Sequence, residues 1–83
     1  MKKKEEPKIY RTSDLALAVY LMMNVKKYDL VKISERKFEF VFDPDDSLEA
    51  LVRDFYDNKA KVSPLDYYNN MRMLKNRMYE STR

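Results

Sequence analysis

Residues Lys37-Phe38-Glu39-Phe40-Val41-Phe42-Asp43 place three phenylalanines at every second position. That spacing puts all three on one face of a β-strand and on no single face of a helix. A strand so unequal in its two sides sets its own register, because a slip of one residue would carry all three rings into water. Phe38, Phe40 and Phe42 must therefore face a core, with Glu39 and Val41 outward, and each ring fully buried contributes on the order of 2–3 kcal/mol. A two-stranded hairpin does not hold alone in water, so helices elsewhere in the chain must cover the rings.

The flanking segments supply them. Tyr28-Asp29-Leu30-Val31-Lys32-Ile33 alternates as a strand, and the polar Ser34-Glu35-Arg36-Lys37 joins it to the phenylalanine strand. The expected unit is an antiparallel hairpin around a type I turn, since the chain has no glycine for the primed turns. Upstream, Thr12-Ser13-Asp14 opens a helix that should run from about Ser13 to Asn24, with Asn24 suited to a left-handed end where glycine would be usual. Leu15, Ala18, Val19 and Met22 share one face of this helix, but Leu17, Tyr20, Leu21 and Met23 make it apolar nearly all round. Downstream, Asp46-Ser47-Leu48-Glu49 fits a capping box, and Leu48, Leu51, Val52 and Phe55 then recur at helical spacing as far as about Asn58. After the connector Lys59-Ala60-Lys61, Ser63-Pro64-Leu65-Asp66 offers an N-cap, proline at the first helical position and an acid in the first turn. Val62 and Tyr67 are spaced for a hydrophobic staple. This last helix should reach about Glu80 with Tyr67, Met71, Leu74 and Met78 inward. The order is α-β-β-α-α: an α+β domain in which an antiparallel hairpin is packed on one face by three helices. Residues 1–8 read as a flexible basic tail and residues 9–83 as a single domain.

A chain of 83 residues buries only roughly 60–65% of the surface its unfolded form exposes, so its core must be dense. Seven tyrosines, four phenylalanines and six methionines supply large and adaptable side chains for it. Cysteine and histidine are both absent, which removes disulfides, the usual transition-metal ligands and the commonest general base, and makes a reducing cytoplasm the natural compartment. Asp43, Asp45, Ser47 and Asp54 stand at positions one, three, five and twelve of a calcium-loop spacing. However, Leu48 occupies the place where the sharp turn needs glycine, and positions 48–54 fit a helix better. No metal, no cofactor and no enzymatic activity are expected. The apolar run Leu15–Met23 is far shorter than the about 20 residues a bilayer needs, so no membrane partner is expected either. Arg11, Ser13 and Asp14 also separate that run from the amino-terminal lysines, and Asn24-Val25-Lys26 is no small-residue cleavage site.

Charge is uneven along the chain: net +3 over residues 1–11, −4 over 12–58 and +4 over 59–83. On the last helix, Arg72, Lys75 and Asn76 share a face with side chains suited to phosphates and base edges, and Tyr79 is placed to stack on an unpaired base. Lys59, Lys61, Arg77 and the lysines of the tail would extend the electropositive area. The expected function is binding of DNA or RNA through this helix. A helix-turn-helix is not favoured, because its usual three-helix core has no place for the hairpin. A second expectation is a protein-interaction module. Leu17, Tyr20 and Leu21 on the far side of the first helix would then pair with a second copy, as a homodimer, or with a host protein.

The order of these residues resembles a family of small domains of unknown function associated with phages and other mobile elements of bacteria. The resemblance is carried by Tyr10-Arg11-Thr12-Ser13-Asp14-Leu15 with Leu17, Ala18 and Leu21, and by Phe40-Val41-Phe42. Leu51-Val52-Arg53-Asp54-Phe55-Tyr56, Tyr67-Tyr68 and Leu74-Lys75 continue it over nearly all the chain beyond the tail. The family pattern usually ends its first helix with glycine, where this chain has Asn24. The resemblance implies a small viral or mobile-element protein that binds something in a bacterial or archaeal cytoplasm, and it assigns no site residues.

Overall fold

The computed structural model describes residues 9–25, 28–43 and 46–81. The basic tail over residues 1–8, Asp45 of the calcium-like spacing and Arg83 lie outside the described residues. The elements are β1 (Tyr10–Thr12), α1 (Leu15–Asn24), β2 (Tyr28–Ser34), β3 (Lys37–Phe42), α2 (Leu48–Tyr56) and α3 (Pro64–Ser81). The α+β class and the order of hairpin and helices are as the spacing predicts, with one strand added. The sheet is three-stranded and antiparallel in the order β1-β3-β2, so the phenylalanine strand is central. β1 precedes α1, where the order α-β-β-α-α read from the sequence has no strand. Three residues carry no readable alternation, and only their pairing with β3 makes them a strand.

The register carries out the demand of the three rings. Tyr10 and Tyr28 flank Phe42, Thr12 and Leu30 flank Phe40, and Lys32 lies opposite Phe38. Directly opposed residues share a face, so these all line the helix side of the sheet. Phe38, Phe40 and Phe42 are buried, while Arg11, Asp29, Glu39 and Val41 occupy the other side, where Arg11 and Glu39 form an ion pair at 3.1 Å. The hairpin turns on Glu35-Arg36 alone, two residues shorter than the connection read from the sequence. Neither residue has positive φ, which rules out a primed turn. A register shift between Lys32 and Ser34 accompanies it, in the place where an unprimed turn would splay the strands.

α1 is the centre of the core. Leu17, Ala18, Val19, Tyr20 and Leu21 form one cluster with Phe40 and Phe42 of β3, Leu48 of α2 and Leu74 of α3. This corrects the expectation of spare apolar surface: Leu17 and Leu21 are 0% exposed and Tyr20 6%, all within one chain. α1 is enclosed because α2 and α3 pack on it in addition to the sheet. Tyr20 meets Phe55 of α2 with ring centroids 5.9 Å apart. The Tyr67 hydroxyl of α3 donates to the Ala16 carbonyl at 2.8 Å. Leu17, Tyr20 and Leu21 are therefore not an interface for a second chain, and the argument for a homodimer that rested on them falls.

The helix ends also differ in detail from the local reading. Of Thr12-Ser13-Asp14, it is Asp14 that caps α1, its Oδ1 accepting from the Leu17 N–H at 3.3 Å. Thr12 Oγ1 in turn accepts from the Asp14 N–H at 3.0 Å, and the Tyr56 hydroxyl donates to Asp14 Oδ2 at 2.8 Å. Asn24 is not left-handed; its side-chain amide donates to the Tyr20 carbonyl at 2.8 Å, and Val25 already has extended angles (φ −123°, ψ 162°). The left-handed residue is Asn58, with φ 64°, after α2. There the Lys59 N–H donates to the Asp54 carbonyl (2.8 Å) and the Asn58 N–H to that of Phe55 (3.2 Å), the paired bonds of a Schellman end built on asparagine. α2 begins one residue later than the capping box predicts, with Ser47 at the N-cap in helical angles (φ −84°, ψ −12°). Positions 48–54 are helix, as read against the calcium loop.

Candidate nucleic-acid interface

α3 is held along one stripe and bare along the other. Leu74 is buried, Tyr67, Met71 and Met78 are half-buried, and Tyr67 anchors the first turns to α1. The C-terminal half lies across the hairpin. On one flank the Arg77 guanidinium donates to the Tyr28 hydroxyl (2.5 Å) and stands 5.3 Å from the centre of its ring. Arg77, expected to widen the basic surface, is thus engaged in fastening α3 to β2.

The opposite side of α3 carries Arg72, Lys75, Asn76 and Tyr79, and all four are exposed, Tyr79 at 70%. At 100° per residue, Tyr68, Arg72, Lys75 and Tyr79 line up in one stripe, about 16 Å long at 1.5 Å per residue. Tyr68 belongs to the stripe although the sequence reading passed over it. It is 57% exposed, and the Arg72 guanidinium lies 5.8 Å from its ring centroid. The helical spacing four residues before Arg72 was the available signal. Leu65, Asn69 and Asn76 border the stripe, and no position from 65 through 79 on this side is acidic; the acids of α3, Asp66 and Glu80, lie elsewhere on the helix.

Lys59 and Lys61 are exposed in the connector before Pro64, at the far end of α3 from Tyr79. They do not join Lys75 and Tyr79 in one cluster. What does join them is the hairpin turn. Glu35, Arg36 and Phe38 face Lys75, Met78 and Tyr79 across an open cleft of about 440 Å³. No local pattern in the sequence could have found it, because residues some forty positions apart meet there only through the docking of α3 on the hairpin.

A family model described as a domain of unknown function, DUF5659, matches residues 7–80. The chain belongs to the DUF5659 family. The DUF5659 match takes in every strand, α1, α2 and nearly all of α3, so both walls of the cleft are part of the domain. No curated protein and no solved structure matches the chain. The DUF5659 description assigns no activity, so the chemistry of the site rests on its geometry: cations for phosphate, tyrosines for stacking and asparagines for hydrogen bonds, without a cluster of potential metal ligands among the described residues. Nor does any helix among the described residues have the length and apolarity to cross a membrane.

Proposed function

We propose that this domain is a small non-enzymatic accessory protein that binds nucleic acid through α3. One observation carries the proposal: the exposed stripe Tyr68-Arg72-Lys75-Tyr79 sets two cations between two tyrosines and has no carboxylate beside it on its face of the helix. Cations along a helix draw phosphates by counterion release, and exposed tyrosines stack on bases. The competing protein-interaction reading rested on apolar surface of α1 that lies inside the core. A phage or mobile-element origin and a cytoplasmic site of action, both implied by the resemblance, belong to the same proposal. A gene lying outside any integrated viral or mobile element would remove that setting.

Fluorescence anisotropy with labelled oligonucleotides at ~50 mM salt tests the binding. With three or four phosphates contacted, affinity should fall roughly 20- to 50-fold for a single strand, or about 40- to 150-fold for a duplex, between 50 and 200 mM salt. Arg72→Ala and Lys75→Ala should each weaken binding and lower the salt slope by about one, with an unchanged circular dichroism spectrum. Absence of binding to any oligonucleotide at the lower salt would overturn the proposal.

A further inference from the structure

We infer that the cleft between the hairpin turn and α3 receives one unpaired nucleobase, which makes the ligand of this domain a single strand; the inference rests on the nucleic-acid reading above. The cleft has the ingredients of a nucleotide site in one place. Its volume, about 440 Å³, lies in the range of small-molecule sites. Its lining includes two apolar side chains, Phe38, 9% exposed, and the half-buried Met78, together with the exposed ring of Tyr79. Arg36 and Lys75 bring positive charge to the same cleft, and Lys32, the cross-strand partner of Phe38 on the same face, adds a third cation close by. Glu35, the one acid among the lining residues, repels a phosphate but can accept from a base N–H.

A duplex cannot use this arrangement. Its bases are paired and stacked and offer only their edges, whereas Phe38 and Met78 are largely covered and line a cleft that an edge alone would not fill. A splayed base presents a flat apolar face to such side chains while its phosphate stays within reach of flanking cations. The stripe continues up α3 through Arg72 and Tyr68, a track of aromatic and cationic groups for the neighbouring nucleotides.

The test uses the full chain with a fluorescein-labelled oligothymidine of ~12 nucleotides and a duplex of the same length, within the site sizes usual for single-strand binders. The single strand should bind at least about tenfold tighter than the duplex. Tyr79→Ala should weaken single-strand binding about 5- to 100-fold, and Tyr79→Phe, which keeps the ring, should stay within about twofold of the native chain. Both substitutions are at a 70% exposed position, and circular dichroism checks that the fold is kept. A duplex bound as tightly as the single strand, or an unaffected Tyr79→Ala beside a weakened Lys75→Ala, overturns the cleft inference and leaves binding through α3 intact. No binding to either probe overturns both.

Discussion

α1 and α3 lie against each other, joined by the Tyr67–Ala16 hydrogen bond, yet their surfaces are opposites. Of the ten residues of α1, five are buried among rings and methyl groups; of the eighteen in α3, only Leu74 is. Read alone, an apolar helix looks as if it has surface to spare for a partner. In a fold with three other elements to cover it, the same helix is the centre, and its lack of a polar face is what lets a chain this short close a core around it. The half-polar helix does the reverse. It gives up one stripe to the core and keeps the other in water, which is where a ligand must arrive.

The sharpest way to break this contrast is to truncate one side chain on each helix. Leu17→Ala or Leu21→Ala should cost about 2–5 kcal/mol in urea denaturation, a large share of the about 5–15 kcal/mol typical of a domain. Lys75→Ala, on the exposed side of α3, should stay within about 0.5 kcal/mol. A Leu17→Ala loss below about 1 kcal/mol, with a change of mass in light scattering, would return α1 to an interface role.

Next in size is the start of α1. Asp14 caps the helix with one carboxylate oxygen and receives the Tyr56 hydroxyl with the other. Asp14→Ala should destabilise the domain by about 1–2 kcal/mol and Asp14→Asn by less, since asparagine also caps. Equal losses would mean that charge, rather than capping, holds the site.

The bond that joins the two helices should weigh less. Tyr67→Phe removes only the hydroxyl donated to the Ala16 carbonyl, and the expected loss is about 0.5–1.5 kcal/mol with an unchanged denaturant slope. An altered slope would show that this bond sets how α3 lies on α1.

The smallest effect concerns alkaline pH. Tyr56 is raised above the ordinary tyrosine value chiefly by its hydrogen bond to Asp14, and Tyr67 by burial and then by the charge of Asp14. A folded-state pKa above the unfolded one means that folding favours the protonated phenol. The associated stability is complete below the unfolded value, about 10, and is lost as pH rises through the folded values. Stability should therefore be level to about pH 9 and decline above about pH 10, and the Tyr56→Phe, Tyr67→Phe pair should flatten that decline. An unchanged decline in the double variant would assign it to other groups.

Much of this was legible before any fold was known, and residue by residue the reason is locality. Phe38, Phe40 and Phe42 carry a period of two, Tyr67, Met71, Leu74 and Met78 a helical one, and Pro64 marks a helix start; each signal lies within one element. Arg72, Lys75, Asn76 and Tyr79 were found by the same helical spacing. The larger misses involve a partner distant in sequence, while those at the helix ends are local. Asn24 and Asn58 have equal intrinsic tolerance for the left-handed region, but only after Asn58 does the chain fold back on its own helix end. Nothing in Tyr10-Arg11-Thr12 announces a strand until Phe40-Val41-Phe42 lies beside it.

The amino-acid sequence by itself thus determined the register of the phenylalanine strand, the helices that cover it and the exposed basic face of α3, because periodicity and helix-start chemistry are properties of a few consecutive residues. Only the tertiary structure decided that α1 is enclosed, that Arg77 is engaged with Tyr28, and that Lys75 and Tyr79 share a cleft with Arg36 and Phe38. Those are facts about which surfaces meet. They depend on how the whole chain excludes water at once, and no short stretch of residues carries that information.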